Sequence, residues 1–175
     1  MPLYEYEGKR PQIDETSFIH PQAVIIGDVR IGQHCYVGAG TILRGDYGTI
    51  IIGNGSNIQE NSVLHSEPET VADIGADVLI GHAAIVHGPC TLHNSVVIGM
   101  GAIVSTHCVL EEGSFLAAGS VLPPRRTIPA WQLAMGNPAK AIRETTEEMV
   151  QYNLISVKLY QDLAQRCKTG LKLID

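Results

Sequence analysis

The chain has 175 residues, of which 45% are hydrophobic but only 5% aromatic, and its formal net charge at pH 7 is −6. A chain of this length is expected to fold as one domain, with a core of Val, Ile, Leu and Ala rather than of large rings. The negative charge without a basic run argues against a nucleic-acid partner, and no apolar stretch is long enough for a membrane span.

Aliphatic residues recur every six positions through most of the chain. The series resumes at Ile52 after three extra residues and at Ile74 after four more. A period of six matches neither an α-helix nor an ordinary strand, but it is the repeat of a parallel β-helix, in which each unit forms one side of a triangular coil. The eighteen units predict an all-β domain of six coils over residues 1–127. The aliphatic anchors are Ile13, Ile19, Ile25, Ile31, Val37, Leu43, Ile52, Ile58, Leu64, Ile74, Ile80, Val86, Leu92, Ile98, Val104, Leu110, Leu116 and Leu122.

Small residues stand two positions before most anchors, near a corner of the coil where a bulky side chain would clash. Three of the four cysteines occupy such positions, so we interpret them as compact core residues. Since the polar start of the chain lacks the pattern of a secretory signal, we expect reduced thiols and a cytoplasmic protein. The small residues are Ala23, Cys35, Thr41, Ser56, Ser62, Ala72, Ala84, Cys90, Ala102, Cys108, Ser114 and Ser120.

After Leu122 the six-residue rhythm ends in a Pro-rich stretch. Residues 128–144 are therefore predicted to be a connection, and residues 145–170 an α-helix packed alongside the coils. Thr145 and Glu148 have the spacing of a capping box, and Gly170 is a plausible stop. The helix carries an apolar stripe of Met149, Leu154, Val157, Tyr160, Leu163, Ala164 and Cys167.

Two histidines occupy equivalent places in adjacent coils. His65 and His87 each follow an anchor directly and are three units apart, so they should stack about 4.8 Å from each other. Both imidazoles could then reach one metal at about 2.0–2.1 Å. His82 belongs to another side of the triangle and would reach that metal only from a neighbouring subunit. The sequence therefore predicts a homotrimer with metal sites between subunits, where three imidazoles leave one position open for water, as in catalytic zinc sites.

Arg44 extends this column by one coil, because it directly follows an anchor three units before that of His65. With Asp46 two residues further on, we expect Arg44 to form an ion pair between subunits.

Glu60 occupies, one coil earlier, the position that His82 holds. It could orient a ligand or act on bound water, although an isolated acidic surface residue is equally compatible with the sequence.

Several motifs together resemble the γ-class carbonic anhydrase family: RGD at 44–46, NIQEN at 57–61, His65, and GHxxxxH at 81–87. The resemblance implies a left-handed β-helix and reversible hydration of carbon dioxide to bicarbonate by metal-bound hydroxide at trimer interfaces. Imidazoles accept zinc, and also Fe²⁺ or Co²⁺. The residues implicated are the metal ligands His65, His82 and His87, Arg44 and Asp46 in contact between subunits, and Asn57 and Gln59 near the bound solvent.

The prototype of that family carries a longer acidic loop with a shuttle glutamate after its first histidine. Here the corresponding segment is only SEPETVAD, in which Glu67 and Glu69 are weak substitutes, and Tyr160 is a candidate for the family's late active-site tyrosine. MGNPAKAIRE and LYQDLAQRCKTGL are similar to the branch containing the phenylacetate-degradation thioesterase and the carnitine-operon accessory protein. An acyl-CoA thioesterase is therefore the main alternative, with an inactive trimeric scaffold and a hexapeptide acyltransferase also open.

Overall fold

The six-residue repeat forms a left-handed parallel β-helix of about seven turns, and a computed structural model describes residues 2–174 of it. One α-helix follows the coils. The strands are β1 (Leu3–Tyr4), β2 (Gln12–Ile13), β3 (Phe18–Ile19), β4 (Val24–Ile31), β5 (Tyr36–Val37), β6 (Ile42–Ile52), β7 (Asn57–Ile58), β8 (Val63–Ser66), β9 (Val71–Ile74), β10 (Leu79–Ile80), β11 (Ile85–Gly88), β12 (Cys90–Leu92), β13 (Val97–Ile98), β14 (Ile103–Val104), β15 (Cys108–Leu110), β16 (Phe115–Leu116), β17 (Val121–Leu122), β18 (Thr127–Ile128), β19 (Gln132–Gly136) and β20 (Ala139–Glu144), and the helix is α1 (Glu147–Gly170).

Each side of the triangular coil is a column of short parallel strands. The first face contains β8, β11, β14 and β17, the second β9, β12, β15 and β18, and the third β3, β5, β7, β10, β13, β16 and β19. β4 and β6 are longer because they continue around the corner from the first face to the second. Gly27 and Gly45 pair at that corner, where a Cβ on Gly27 would collide with the Gly45 carbonyl oxygen.

The interior of the coil is filled by the predicted anchors. Every anchor from Ile19 to Leu122 is buried, and Ile13 is partly buried. The small corner residues are all buried as well, including Cys35, Cys90 and Cys108. Burial raises the pKa of the Cys35 thiol to about 11 and that of Cys90 to about 12, so both stay protonated and unreactive at neutral pH.

The coil extends beyond the expected boundary at residue 127. Ile128 and Ala134 are buried and continue the six-residue spacing from Leu122, and they lie on β18 and β19. The strand β20 then pairs antiparallel with β19 and closes this end of the third face. Residues 128–144 are therefore mainly strands rather than a Pro-rich connection. The hydrophobic pattern did not predict this last turn, because the segment contains prolines and its anchor at 134 is only an alanine.

The N-cap of α1 lies one residue later than predicted. Thr146 is the N-cap, and its side chain accepts a hydrogen bond from the Met149 backbone N–H. The capping box predicted for Thr145 and Glu148 is therefore wrong, because the Thr145 hydroxyl donates to the Trp131 carbonyl oxygen instead. The helix ends at Gly170, as predicted.

One side of α1 packs along the third face of the coil. Val157 and Ala164 of the predicted stripe are buried, but Leu154 is 44% exposed and Asn153 is buried in its place. Near the start of the coils, α1 forms a small second core with Phe18 and Tyr36, to which Tyr160, Leu163 and Cys167 contribute. Across residues 2–174, no helix combines the length and apolarity that crossing a bilayer requires.

Candidate functional site

His65 and His87 lie side by side on the first face. β8 and β11 pair with these two residues directly opposite each other, and their ring centroids are 5.4 Å apart with 12° between the planes. Arg44 on β6 pairs with His65 in the same register, so the three residues form one column, as the repeat predicted. Because the strand ladder fixes this spacing, the two imidazoles are held where both can approach one ion.

Asp46 links Arg44 to His65 within the chain. Arg44 Nη1 donates to Asp46 Oδ2 at 2.6 Å, and Asp46 Oδ1 lies 3.1 Å from His65 Nε2. Burial alone would raise the pKa of Asp46, but hydrogen bonds from the Tyr47 N–H, Arg44 and His65 hold it below its ordinary value. The pair between Arg44 and Asp46 was expected across subunits. The chain instead makes it internally, and contact of either residue with a second subunit stays a prediction.

The surroundings of His65 favour its neutral form. Burial, followed by the positive charge of Arg44, lowers the pKa of His65, although Asp46 acts in the opposite direction. The imidazole is therefore uncharged at pH 7, which is the state that a metal ligand requires.

His82 follows β10 on the third face, where Glu60 holds its ring. His82 Nδ1 lies 2.7 Å from Glu60 Oε2, and the histidine side chain is 45% exposed. Because a carboxylate only accepts, the neutral ring carries its proton on Nδ1 and leaves the Nε2 lone pair free. A carboxylate that orients a ligating imidazole in this way is usual at metal sites. Glu60 is thus not an isolated surface carboxylate.

Tyr36 supports Glu60 from the preceding coil and was not found by sequence reasoning. Its hydroxyl donates to Glu60 Oε1 at 2.8 Å. Burial would raise the pKa of Glu60, but its backbone hydrogen bond, Tyr36 and His82 together lower it. Gly38 makes room for this carboxylate, since a Cβ there would lie 2.6 Å from Glu60 Oε1. A glycine one coil before a polar residue and two residues after a tyrosine is the signal that could have revealed the contact.

Gln59 and Asn57 are buried on the third face next to Glu60. Gln59 Nε2 donates to Asn57 Oδ1 at 3.0 Å. Asn57 Nδ2 has no hydrogen-bond partner within the described part of the chain, residues 2–174. Their predicted role near bound solvent stays a prediction, since the Asn57 side chain is fully buried.

The remaining candidates from the sequence, Glu67, Glu69 and Tyr160, lie on different faces of the coil. Glu67 is half-buried and Glu69 exposed in the turn after β8, the strand of His65. Tyr160 lies on α1 with its ring 5.2 Å from that of Tyr36, so it belongs to the surroundings of His82 on the third face.

A metal held by all three predicted histidines needs two chains. Over residues 2–174 of one chain, no three His, Cys, Asp or Glu side chains cluster so as to hold a metal ion. The stacked pair His65 and His87 lies on the first face, while His82 lies on the third. The neutral His65 and the oriented His82 nonetheless suit zinc, which accepts imidazole nitrogens. The residues therefore fit such an ion if a second subunit brings the two faces together.

An aliphatic ladder borders the histidine column on the first face. Ile42, Val63, Ile85, Ile103 and Val121 pair in register from strand to strand, each directly before an interior anchor. Ile42 is 37% exposed and Ile85 41% exposed. Val63, Ile103 and Val121 are half-buried. A contiguous apolar strip with exposed members is typical of an interaction surface. This strip favours a subunit contact beside His65 and His87.

The carboxylate of Glu60 provides a test of this arrangement. Glu60→Gln keeps the shape but removes the charge that orients the His82 ring. We expect zinc affinity, measured by competition with a chromogenic chelator, to fall about 10–100-fold, the usual cost of losing an outer-shell partner.

The matched control for this change is Glu69→Gln, which removes an exposed carboxylate from the turn after β8. It should bind zinc like the unchanged protein. Equal affinities for all three proteins would contradict the orienting role of Glu60.

Comparison with known proteins defines the family. A family model described as "Bacterial transferase hexapeptide (six repeats)" matches residues 10–45. The carnitine operon protein CaiE of Shigella flexneri is 39% identical over 171 residues, covering 98% of this chain and 87% of that protein. CaiE of Salmonella agona is 37% identical, covering 98% of this chain and 86% of that protein. The chain belongs to the CaiE-like family of hexapeptide-repeat proteins.

Solved structures extend the CaiE-like comparison to the whole fold. A hexapeptide transferase family protein from Anaplasma phagocytophilum is 45% identical with a TM-score of 0.89, covering 94% of this chain and 96% of that chain. A Bacillus cereus protein named as a candidate acetyltransferase is 34% identical with a TM-score of 0.94, covering 97% and 98%. The two solved structures carry transferase names. None of the four relatives is named as a carbonic anhydrase. The γ-class activity is therefore a matter of proposal for this CaiE-like chain.

Proposed function

We propose that this protein is a metal-dependent enzyme of the γ-class carbonic anhydrase type, which hydrates carbon dioxide at the interfaces of a homotrimer. The observation that carries the proposal is the division of three imidazoles between two faces: the stacked pair His65 and His87, and His82 oriented by Glu60. Zinc bound there would lower the pKa of a coordinated water to about 7 and so supply hydroxide at neutral pH.

The chain's own residues divide the remaining work. His65 and His87 of one subunit and His82 of the next would hold the metal. Glu60 keeps Nε2 of His82 available, and Tyr36 keeps Glu60 in place.

One cationic group suits an anionic product. The Arg44 guanidinium stands one coil below His65 and is 41% exposed, so it can attract bicarbonate with the part of its charge that Asp46 does not neutralise.

The experiment is stopped-flow hydration of carbon dioxide on protein of measured metal content. A trimer has three equivalent interfaces, so we expect about one metal per chain. The hydration rate should rise in proportion to the bound zinc. An acyl-CoA hydrolysis panel on the same samples tests the thioesterase alternative. Metal-loaded trimers that accelerate neither reaction would contradict the proposal and favour the scaffold.

A second candidate is acyl transfer, which the transferase names of the relatives support. The pair of His82 and Glu60 has the contact that a general base and its orienting carboxylate require. Dependence of the activity on bound metal distinguishes the two candidates, because a histidine base works without a metal. Transfer of acetyl from acetyl-CoA to an amine or hydroxyl acceptor by metal-free protein, with release of the CoA thiol, would favour the transferase if it is lost in His82→Ala.

A further inference from the structure

One side of α1 carries three large apolar side chains that the chain itself leaves uncovered. Tyr152 is 70% exposed, Ile155 57% and Leu159 61%. At about 100° per residue they form one row along the helix, while Val157 and Ala164 are buried against the coil. We call these three residues the outer row of α1. Single exposed apolar residues are common, but a contiguous row of this size is typical of an interaction surface.

The outer row lies on the side of α1 that borders His82. Tyr152 and His82 line one cavity between the helix and the third face. On the opposite side of the helix, the Gln161 side chain donates to the Gly55 carbonyl oxygen at 3.3 Å, at the corner where the third face begins. His82 stands at the corner where that face ends. A second subunit that reaches His82 therefore approaches the helix on the side of its outer row.

A partly apolar corner adjoins the histidine pair, His65 and His87. The first face ends beside the pair, and the chain turns a corner on which Tyr47 is 56% exposed, with its ring 6.4 Å from that of His65. Val71, where the second face begins, is 40% exposed. We call Tyr47 and Val71 the Tyr47 corner. The aliphatic ladder lies on the other side of the histidine column, so a trimer that turns the ladder toward its threefold axis turns this corner outward.

The outer row and the Tyr47 corner lie at the same level along the coil. The ring of Tyr160 is 5.2 Å from that of Tyr36 on β5, so the adjacent Leu159 stands at the level of that coil. β5 leads in the same turn to β6, which carries Tyr47. Rotation about an axis parallel to the coils moves no residue along them. It therefore brings Leu159 of one subunit to the level of Tyr47 of the next.

A shared metal centre alone is too small to hold two subunits together. A stable interface buries about 800 Å² on each partner, and three imidazole rings supply only a small part of that area. The aliphatic ladder adds apolar surface on the axis side of the centre. The outer row and the Tyr47 corner add it on the far side, so the two contacts would enclose the histidines between them.

We propose that the outer row of α1 docks on the Tyr47 corner of the next subunit and holds His82 against the histidine pair there. The proposal rests on the proposed function, because the shared metal is what brings these two faces together. Each chain supplies one outer row and one corner, so three such contacts close a ring and leave neither surface free. The occupant of the outer row is therefore a second copy of this chain.

Leu159→Glu tests the docking by placing a charge in the outer row. Because a carboxylate buried against an apolar surface is unfavourable, association should weaken at least about 100-fold. Size exclusion with light scattering, at a protein concentration where the unchanged chain is trimeric, should then give the mass of one chain. Circular dichroism verifies that α1 remains folded, and a Leu159→Glu protein that is still trimeric would overturn the proposal.

The matched control is Leu154→Glu, which makes the same change on the same helix. Leu154 is 44% exposed but lies on the side of α1 that carries Gln161, away from the outer row. This variant should stay trimeric. Dissociation of both variants alike would overturn the proposal, because the effect would then not depend on the side of the helix.

A charge swap tests whether Leu159 faces Tyr47. Leu159→Lys and Tyr47→Glu should each weaken association at least about tenfold, whereas the chain that carries both should recover the trimer, because opposite charges then meet at every interface. Leu154→Lys combined with Tyr47→Glu should bring no recovery. A double variant that associates no better than the two single variants would overturn the contact.

Metal content separates this proposal from the proposed function. Zinc per chain should fall with the fraction of trimer in Leu159→Glu, because a single chain keeps only part of each site. A zinc-loaded trimer that Leu159→Glu leaves intact would overturn the docking and leave the proposed function standing. A trimer that Leu159→Glu dissociates but that binds no zinc would remove the proposed function and leave the docking standing.

Discussion

His82→Ala is expected to remove the metal from every site of the trimer and to abolish metal-dependent activity. The two other imidazoles, His65 and His87, cannot complete a zinc site alone, and the Glu60 carboxylate loses the ring that it orients. Zinc affinity and hydration rate should both fall at least about 100-fold, since even an outer-shell loss costs about 10–100-fold. Metal analysis and stopped-flow kinetics measure the two effects.

The matched control is His93→Ala, which removes an exposed histidine from the turn after β12. It should retain both metal and activity. Size exclusion should show the same oligomer for both variants, because the half-exposed His82 adds little to the fold. A His82→Ala protein with full metal content would exclude this residue as a ligand.

Mixing two inactive variants tests whether the site really joins two chains. A His65→Ala subunit keeps its own His82, and a His82→Ala subunit keeps its own His65 and His87. A mixed trimer can therefore rebuild an intact centre where the second presents its histidine pair to the first. Random association gives this arrangement at about one interface in four, so about a quarter of the original activity should return. No recovery in trimers verified as mixed would contradict a shared centre.

Leu110→Ala is expected to have the largest effect on stability. This anchor on β15 is fully buried and pairs in register with Leu92 and Ile128 in the adjacent coils. Truncation leaves a cavity that the hydrogen-bonded strands cannot close, so the free energy of unfolding should fall by about 2–5 kcal/mol. Urea denaturation followed by circular dichroism, at one fixed protein concentration, measures the change.

The neighbouring residue gives the matched control. Val109 lies on the same strand but points outward and is half-buried. Val109→Ala should cost less than about 1 kcal/mol, because little apolar area leaves the interior. Similar losses for the two variants would contradict the assignment of inside and outside along this strand.

The coil was predictable because every turn has the same packing requirement. Each turn must bury one aliphatic residue per side and keep its corners small, so the pattern appears many times and errors average out. The last turn was missed where Ala134 is too small to stand out as an anchor and the prolines suggest a connection. The helix cap was misplaced because Thr145 and Thr146 are adjacent, and only the contact with Trp131 distinguishes them.

The candidate site was predictable only where the ladder determines it. The column of Arg44, His65 and His87 follows from counting units, since register fixes which residues are neighbours. The contact from Tyr36 to Glu60 and the pair between Arg44 and Asp46 depend on side-chain rotamers, which no spacing encodes. The contact face of α1 depends on how the helix docks, and Asn153 rather than Leu154 faces inward there.

The separation of His65 from His87 is set by main-chain hydrogen bonds between adjacent coils, not by the packing of neighbouring side chains. Such a donor spacing survives substitutions that would distort a centre built on loops. Exchange of surrounding residues can therefore change which molecules reach the two imidazoles without altering the gap between them. During evolution, the same rigid β-helix can therefore acquire a different activity through substitutions near the two imidazoles alone.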